Sequence, residues 1–438
     1  GAVRYGDRIG SNLFYRVYAQ QFDYNHTFLP GGQPAADAWA MTQGGFRMDY
    51  LPSEANTLTL QGDFYGGSER TSPSESSVNG QNVLGRWTHT FSEDSDLSLQ
   101  VYWDRTWRRD VPSAISDELN TYDFDFQHRF LLTDWNTIVW GFGYRYMDQD
   151  TPTSTTVVGF VPQRRKLNLF SGFVQDEMTL APDRVKFIVG TKMEHNDFTG
   201  FEIQPSARLA WTPTDQQTFW GAISRAVRSP GRFDVDYHIP KSPPYIIAGG
   251  PGFESEELIA YEVGYRVQPM SQLSLSLAAF YNTYDDIYNV QVLSFPVTIE
   301  NGVEGESWGV EVSGTYQPLE RWRLRGGYTY FEKELRGKPG HFATGIPALG
   351  NDPRHQVMLQ SILDLPAHFQ LDVVARYVDA LPNPQVSDYL TFDVRLAWAY
   401  KQIELSVVGR NLWEPRHPEY GTQQEIPRSV FGQVTFRW

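Results

Sequence analysis

Cysteine does not occur in the 438 residues. Disulfides, thiolate metal sites and cysteine nucleophiles are excluded with it. No apolar run approaches the ~18 residues of a membrane-spanning helix, and the mean hydropathy is −0.44. That excludes helical spans but not spanning strands, which need only ~9–11 residues with every second one apolar. A basic excess is also missing. The formal net charge is −15, whereas phosphate contacts require clustered Lys and Arg, so no nucleic-acid partner is expected. No H-E-x-x-H, P-loop or dinucleotide motif occurs. Gly305-Glu306-Ser307-Trp308-Gly309 has the G-x-S-x-G spacing, but it sits in a strand pattern that continues through Val310 and Val312. It lacks the strand-to-helix elbow that the chemistry needs. Neither an enzyme activity nor a cofactor is expected. The start, Gly1-Ala2-Val3-Arg4-Tyr5, has no basic segment followed by an apolar one, so no signal peptide is read here.

Aromatic residues are abundant: 15% of the chain, with 13 Trp, 24 Tyr and 27 Phe. Such a content suits a membrane barrel with aromatic girdles. The dominant pattern is strict alternation. In Leu390–Tyr400, Leu390, Phe392, Val394, Leu396, Trp398 and Tyr400 share one side, and Thr391, Asp393 and Arg395 the other. Successive side chains of a strand point to opposite faces, so such a strand has one greasy and one wet side. The same alternation places Trp103, Trp140 and Leu371 outward toward lipid and Arg376, Glu262 and Arg323 inward. A half-buried sheet of a soluble sandwich alternates too. The segments here run to ~11–14 residues, however, against a soluble mode of ~5–6.

Connections of two kinds alternate. Short ones include 52–55, 92–95, 181–184, 213–216, 269–271, 318–321 and 366–368. Long ones are expected at 26–37, 67–79, 108–117, 150–163, 227–254, 285–297, 334–352, 382–387 and 413–426, with 196–200 a short member of that set. Short turns at one end and long loops at the other define an up-and-down membrane barrel. The repeat of about 40 residues resembles a propeller period, but the Trp-Asp dipeptide of a blade signature occurs once, at Trp103-Asp104, and does not recur with the repeat. The strand count is ~21, and bacterial single-chain barrels have an even number. The expectation is therefore an all-β transmembrane antiparallel barrel, residues 1–438 as one domain. The sequence would begin at the second strand of a ~22-stranded barrel, a size that normally holds a plug. The edge of Val430–Trp438 would then meet Gly1–Arg8 across a gap or in a strained register.

Several stretches, in order, carry a resemblance: Phe173–Glu177, Arg184–Lys192, Gln204–Trp211, Ser224–Pro230, Glu257–Arg266, Gly314–Pro318, Val408–Leu412 and Phe436–Trp438. Together they resemble the barrel of TonB-dependent outer-membrane receptors. The resemblance implies a bacterial outer-membrane location and uptake of a scarce nutrient, such as a ferric siderophore or cobalamin, by a monomer. It also implies an N-terminal plug and a TonB-contact segment, neither of which is read in these residues, so TonB is a partner only where a plug is joined. The alternative is a passive pore, or a truncated or engineered barrel without transport activity. The closing aromatics Phe436 and Trp438 resemble the signal read by outer-membrane assembly machinery; as a bare pattern they are also girdle residues.

Ligand candidates lie in the long loops, where barrel function concentrates. Arg225, Arg228 and Arg232 lead into Tyr237, His238 and Tyr245, and a second patch is Arg336, His341 and Phe342. Arginine offers forked donors to carboxylate or catecholate oxygens, and aromatics offer flat contact. The rival expectation for Arg225 and Arg228 is lumen-wall ion pairing. Asp234, Asp236, Asp285 and Asp286 carry oxygens that suit calcium, but solvated loop acids are the commoner case. No resident metal is expected.

Overall fold

The computed structural model describes residues 1–438 except 72–73, 111–114, 344 and 422–423. Among the described residues, the alternating segments hydrogen-bond into one sheet of 22 members. One member is the two-residue segment Ile247–Ala248, added in parallel, which leaves 21 strands in an antiparallel up-and-down order. In chain order they are β1 (Ala2–Ile9), β2 (Leu13–Tyr24), β3 (Trp39–Ser53), β4 (Asn56–Thr71), β5 (Ser74–Ser92), β6 (Ser95–Asp110) and β7 (Ile115–Thr133). There follow β8 (Asn136–Asp150), β9 (Arg164–Ala181), β10 (Val185–Asn196), β11 (Gly200–Thr214), β12 (Gln217–Arg228), β13 (Glu256–Met270) and β14 (Leu273–Gln291). The last are β15 (Val297–Leu319), β16 (Trp322–Gly337), β17 (His355–Leu365), β18 (Phe369–Val378), β19 (Tyr389–Tyr400), β20 (Ile403–Arg410) and β21 (Ser429–Phe436).

Register assigns the faces. Paired residues share a side, so Leu99, Phe126, Phe142 and Gly172 form one row across β6–β9, and Trp103, Tyr122, Tyr146 and Asn168 another. The opposite face carries Tyr102, Asp123 and Arg145, with Arg145 donating to Asp123 at 2.8 Å. Across β18 and β19, Phe369 faces Trp398 and Ala375 faces Phe392, while Asp372 faces Arg395. Arg395 bonds Asp372 (3.0 Å) and Glu404 (2.5 Å), and Arg376 bonds Asp393 (3.0 Å). The apolar rows face lipid and the ion-paired rows face the lumen, as alternation predicts.

The loops differ from expectation in extent. Strands reach 23 residues in β15, far beyond the ~9–11 that cross the hydrocarbon. Residues 67–71 and 74–79, expected in a loop, continue the β4–β5 ladder, and residues 108–110 and 115–117 continue β6 and β7. The tips, 72–73 and 111–114, lie outside the described residues. Residues 285–291 and 334–337 likewise extend β14 and β16. Outside lipid a ladder needs no apolar face, so these extensions carry no alternating signal. Ser307 of the G-x-S-x-G stretch is buried within β15, bonded to Asn282 (3.2 Å) and Tyr284 (3.1 Å), with no elbow.

The two outermost strands each bond along one edge: β1 to β2 and β21 to β20. Among the described residues no backbone pair joins β1 to β21. The sheet is nevertheless rolled, because loops from its far ends meet. Phe28 and Glu425 exchange backbone hydrogen bonds (3.1 and 2.7 Å). The Arg416 guanidinium lies 5.2 Å from the Phe28 ring centre and 3.7 Å from Glu425, and Gln424 donates to Asp37 (3.2 Å). Gly32 suits this crossing, because its φ of +87° is a conformation that L side chains rarely adopt. At the other end of β21, Phe436 is outward and its ring stacks on Trp438 (5.8 Å).

Candidate functional site

The longest connection, 229–255, folds back over the lumen mouth. Its first turn is the helix α1 (Arg232–Asp236), opened by the Gly231 N–H donating to the Asp234 carboxylate (2.8 Å). Two lumen-facing arginines fasten it. Arg228, at the end of β12, bonds Asp234 (3.0 Å) and Glu256 (2.7 Å), and Arg165 of β9 pairs with Asp236. Between them Arg232 is buried. Its guanidinium bonds Asp236 (2.8 Å), Thr151 (3.3 Å) and the carbonyls of Gln163 (3.2 Å) and Pro162. A buried guanidinium needs such full pairing, because an unpaired charge away from water is costly. Tyr237–His238 then pair with Gly159–Phe160, and Ile247–Ala248 with Val297–Thr298. Phe253 of this cap is buried, as are Ile299 and Val303 of β15. At Gly250 the cap backbone passes close to β15: a Cβ there would lie 2.1 Å from the Ile299 carbonyl oxygen.

The sequence candidates are dispersed by this geometry. Arg232 is scaffold, enclosed and unavailable to a ligand. Arg228 faces the lumen but is paired with acids, as its rival expectation held. Arg225 alternates onto the other side of β12, where it pairs with Glu257 and donates to the Ile203 carbonyl. It is therefore paired, but not on the lumen wall. Arg336 lies on the outward side of β16, opposite Glu304 (2.8 Å). Tyr237 and His238 remain at the mouth. His238 Nδ1 is 2.8 Å from the Asp236 carbonyl, and its ring is 4.5 Å from that of Tyr245. His341 Nδ1 lies 2.8 Å from Glu300, beside the exposed Phe342 in a separate loop.

The structure brings in rings that sequence reasoning passed over. Phe160, Tyr237, Phe233, Tyr288 and Phe253 form a chain with centroid separations of 5.8, 4.7, 6.5 and 6.3 Å. Phe233, on α1, is 51% exposed and is the open member. Its only local cue was its place beside Arg232; Tyr288 gave none.

The carboxylates considered for calcium are all engaged. Asp234 and Asp236 hold the arginines above, and Lys338 bridges Asp285 (2.5 Å) and Asp286 (2.6 Å). Burial alone would lower the Lys338 ammonium, but the two aspartates hold it above its ordinary range. Among the described residues no group of three or more His, Asp or Glu is placed to hold a metal ion.

A family profile described as TonB dependent receptor-like, beta-barrel matches residues 2–412. A structure of the ferric enterobactin receptor of Pseudomonas aeruginosa in complex with enterobactin superposes with TM-score 0.81 at 16% identity, covering 99% of this chain and 78% of that one. The FrpB iron transporter of Neisseria meningitidis gives TM-score 0.83 at 12% identity, covering 99% and 79%. An iron-regulated outer membrane virulence protein of Vibrio cholerae serotype O1 is 27% identical over 202 residues, 42% of this chain and 30% of that protein. The chain thus spans about 30% of the length of the curated relatives it matches.

Proposed function

The chain belongs to the family of TonB-dependent receptor-like β-barrels, and on that premise we propose that it forms the membrane-spanning part of an importer for a metal chelate such as a ferric siderophore. It lies in the bacterial outer membrane, and its fold and family are those of transport receptors rather than enzymes. In this reading residues 1–438 act as one barrel unit, as a monomer. Tyr237, His238, Tyr245, His341 and Phe342 sit on the loops that meet the ligand first, and energy-coupled uptake requires TonB acting on a plug joined to the barrel.

The observation that carries the reading is the cap. A loop fastened over the mouth by a buried Arg232–Asp236 pair would narrow a passive pore, whereas it gives a receptor the fixed surface on which ligand is captured. The ligand class is supported by the likeness to an iron-regulated outer membrane protein and to siderophore receptors. The test is iron uptake by cells carrying the complete gene, with and without TonB. Uptake of a ferric chelate that is lost when TonB is removed supports the proposal. Chelate uptake independent of TonB favours the passive pore, and no uptake of any chelate removes the importer.

A further inference from the structure

The ring chain at the mouth lies among groups whose charges already balance. Arg165, Arg228 and Arg232 are matched locally by Asp234, Asp236 and Glu256. A guanidinium already bonded to carboxylates has less left for a ligand anion, whose capture would have to compete with an existing pair. What α1 offers instead is a ring: Phe233, half exposed, backed by Tyr237 at 4.7 Å and Tyr288 at 6.5 Å. The backing rings are themselves fixed, Tyr237 by its strand pairing with Phe160 and Tyr288 by its N–H donating to Glu256 (2.8 Å). An exposed aromatic ring on a rigid, charge-neutral support gains most by stacking against a flat organic surface.

We infer that this shelf selects its ligand by stacking on Phe233 and not by charge, so that the preferred chelate is electrically neutral and carries a flat aromatic face. The inference rests on the receptor reading and narrows its ligand class. It places Phe233, absent from the sequence candidates, as the principal contact, and it demotes the arginines to support.

Three ferric complexes separate the contributions: tris(benzohydroxamate), neutral with rings; tris(acetohydroxamate), neutral without rings; and tris(catecholate), trianionic with rings. Each is kept saturated with excess chelator, and binding to the detergent-solubilised chain is followed by intrinsic fluorescence at low and high salt. The expected result is tightest binding of the benzohydroxamate complex with no loss at high salt. Phe233→Ala should weaken it by about tenfold, the fold-change for one aromatic contact of ~1.4 kcal/mol, and Phe233→Tyr should restore it. Circular dichroism of each variant establishes that the barrel is folded. Tightest binding of the catecholate with a fall at high salt overturns the inference. So does unchanged affinity in folded Phe233→Ala, or binding of none of the three. These outcomes leave the importer reading to the TonB-dependent uptake assay, which is scored on cells and does not depend on which complex wins.

Discussion

In the barrel wall, large apolar side chains stand open: Phe142 is 47% exposed, Val263 60% and Leu359 59%. Where the cap meets β15 the relation is inverted, with Phe253 of the cap at 4% and Ile299 and Val303 of β15 at 3% and 0%. The wall has almost no interior of its own. Its strands are held by their ladders, and its apolar face is completed by lipid. The cap is a small globular structure in water, held by packing and by buried ion pairs. One chain therefore uses two different solvents, and the same substitution should have different consequences in each.

Asp236→Asn leaves Arg232 and Arg165 facing each other without their acid in a site where Arg232 and Asp236 side chains are 4% and 3% exposed. Loss of one partner of a buried pair costs ~3–5 kcal/mol. Proteolysis in 229–255 should accelerate sharply while unfolding of the wall is unchanged. Equal loss in both regions would show that cap and wall are one cooperative unit. Phe142→Arg, on the lipid row with Phe126, should destabilise the wall by ~2–4 kcal/mol in refolding into vesicles, and leave cap proteolysis alone. A cost near zero would place that row outside the hydrocarbon. Arg416→Ala removes a partly exposed ion pair and a ring contact. About 1 kcal/mol is expected, visible as faster amide exchange at Phe28 and Glu425. The smallest effect concerns Lys338, whose raised pKa means that its contribution is complete below the unfolded value of ~10.4 and is lost as pH rises through the higher folded value. Protection factors over 338–343, taken relative to the base-catalysed intrinsic rate, should fall only above that range, and Lys338→Met should abolish the pH step.

The wall was legible because lipid imposes a period of two on it. Arg395 and Trp398 fall on opposite faces by counting alone, and the structure agrees. The cap was not, because its order comes from residues far apart in the chain. Arg232 reads as a free donor until Asp236, four residues on, and Pro162 and Gln163, some seventy residues back, enclose it. Arg336 was misplaced for another reason. Alternation counted from Trp322 assigns it outward, but the loop was expected to start at Glu334, where the apolar pattern fades and the ladder does not. Phe253 and Tyr288 carry no local sign of their neighbours.

Seen as a hoop, the loop rim is closed by a cross-tie, Phe28 to Glu425, between segments nearly four hundred residues apart. Its circumference is set there by a few noncovalent bonds in series with the loops, so that rim can give way by releasing the tie while every strand ladder stays intact.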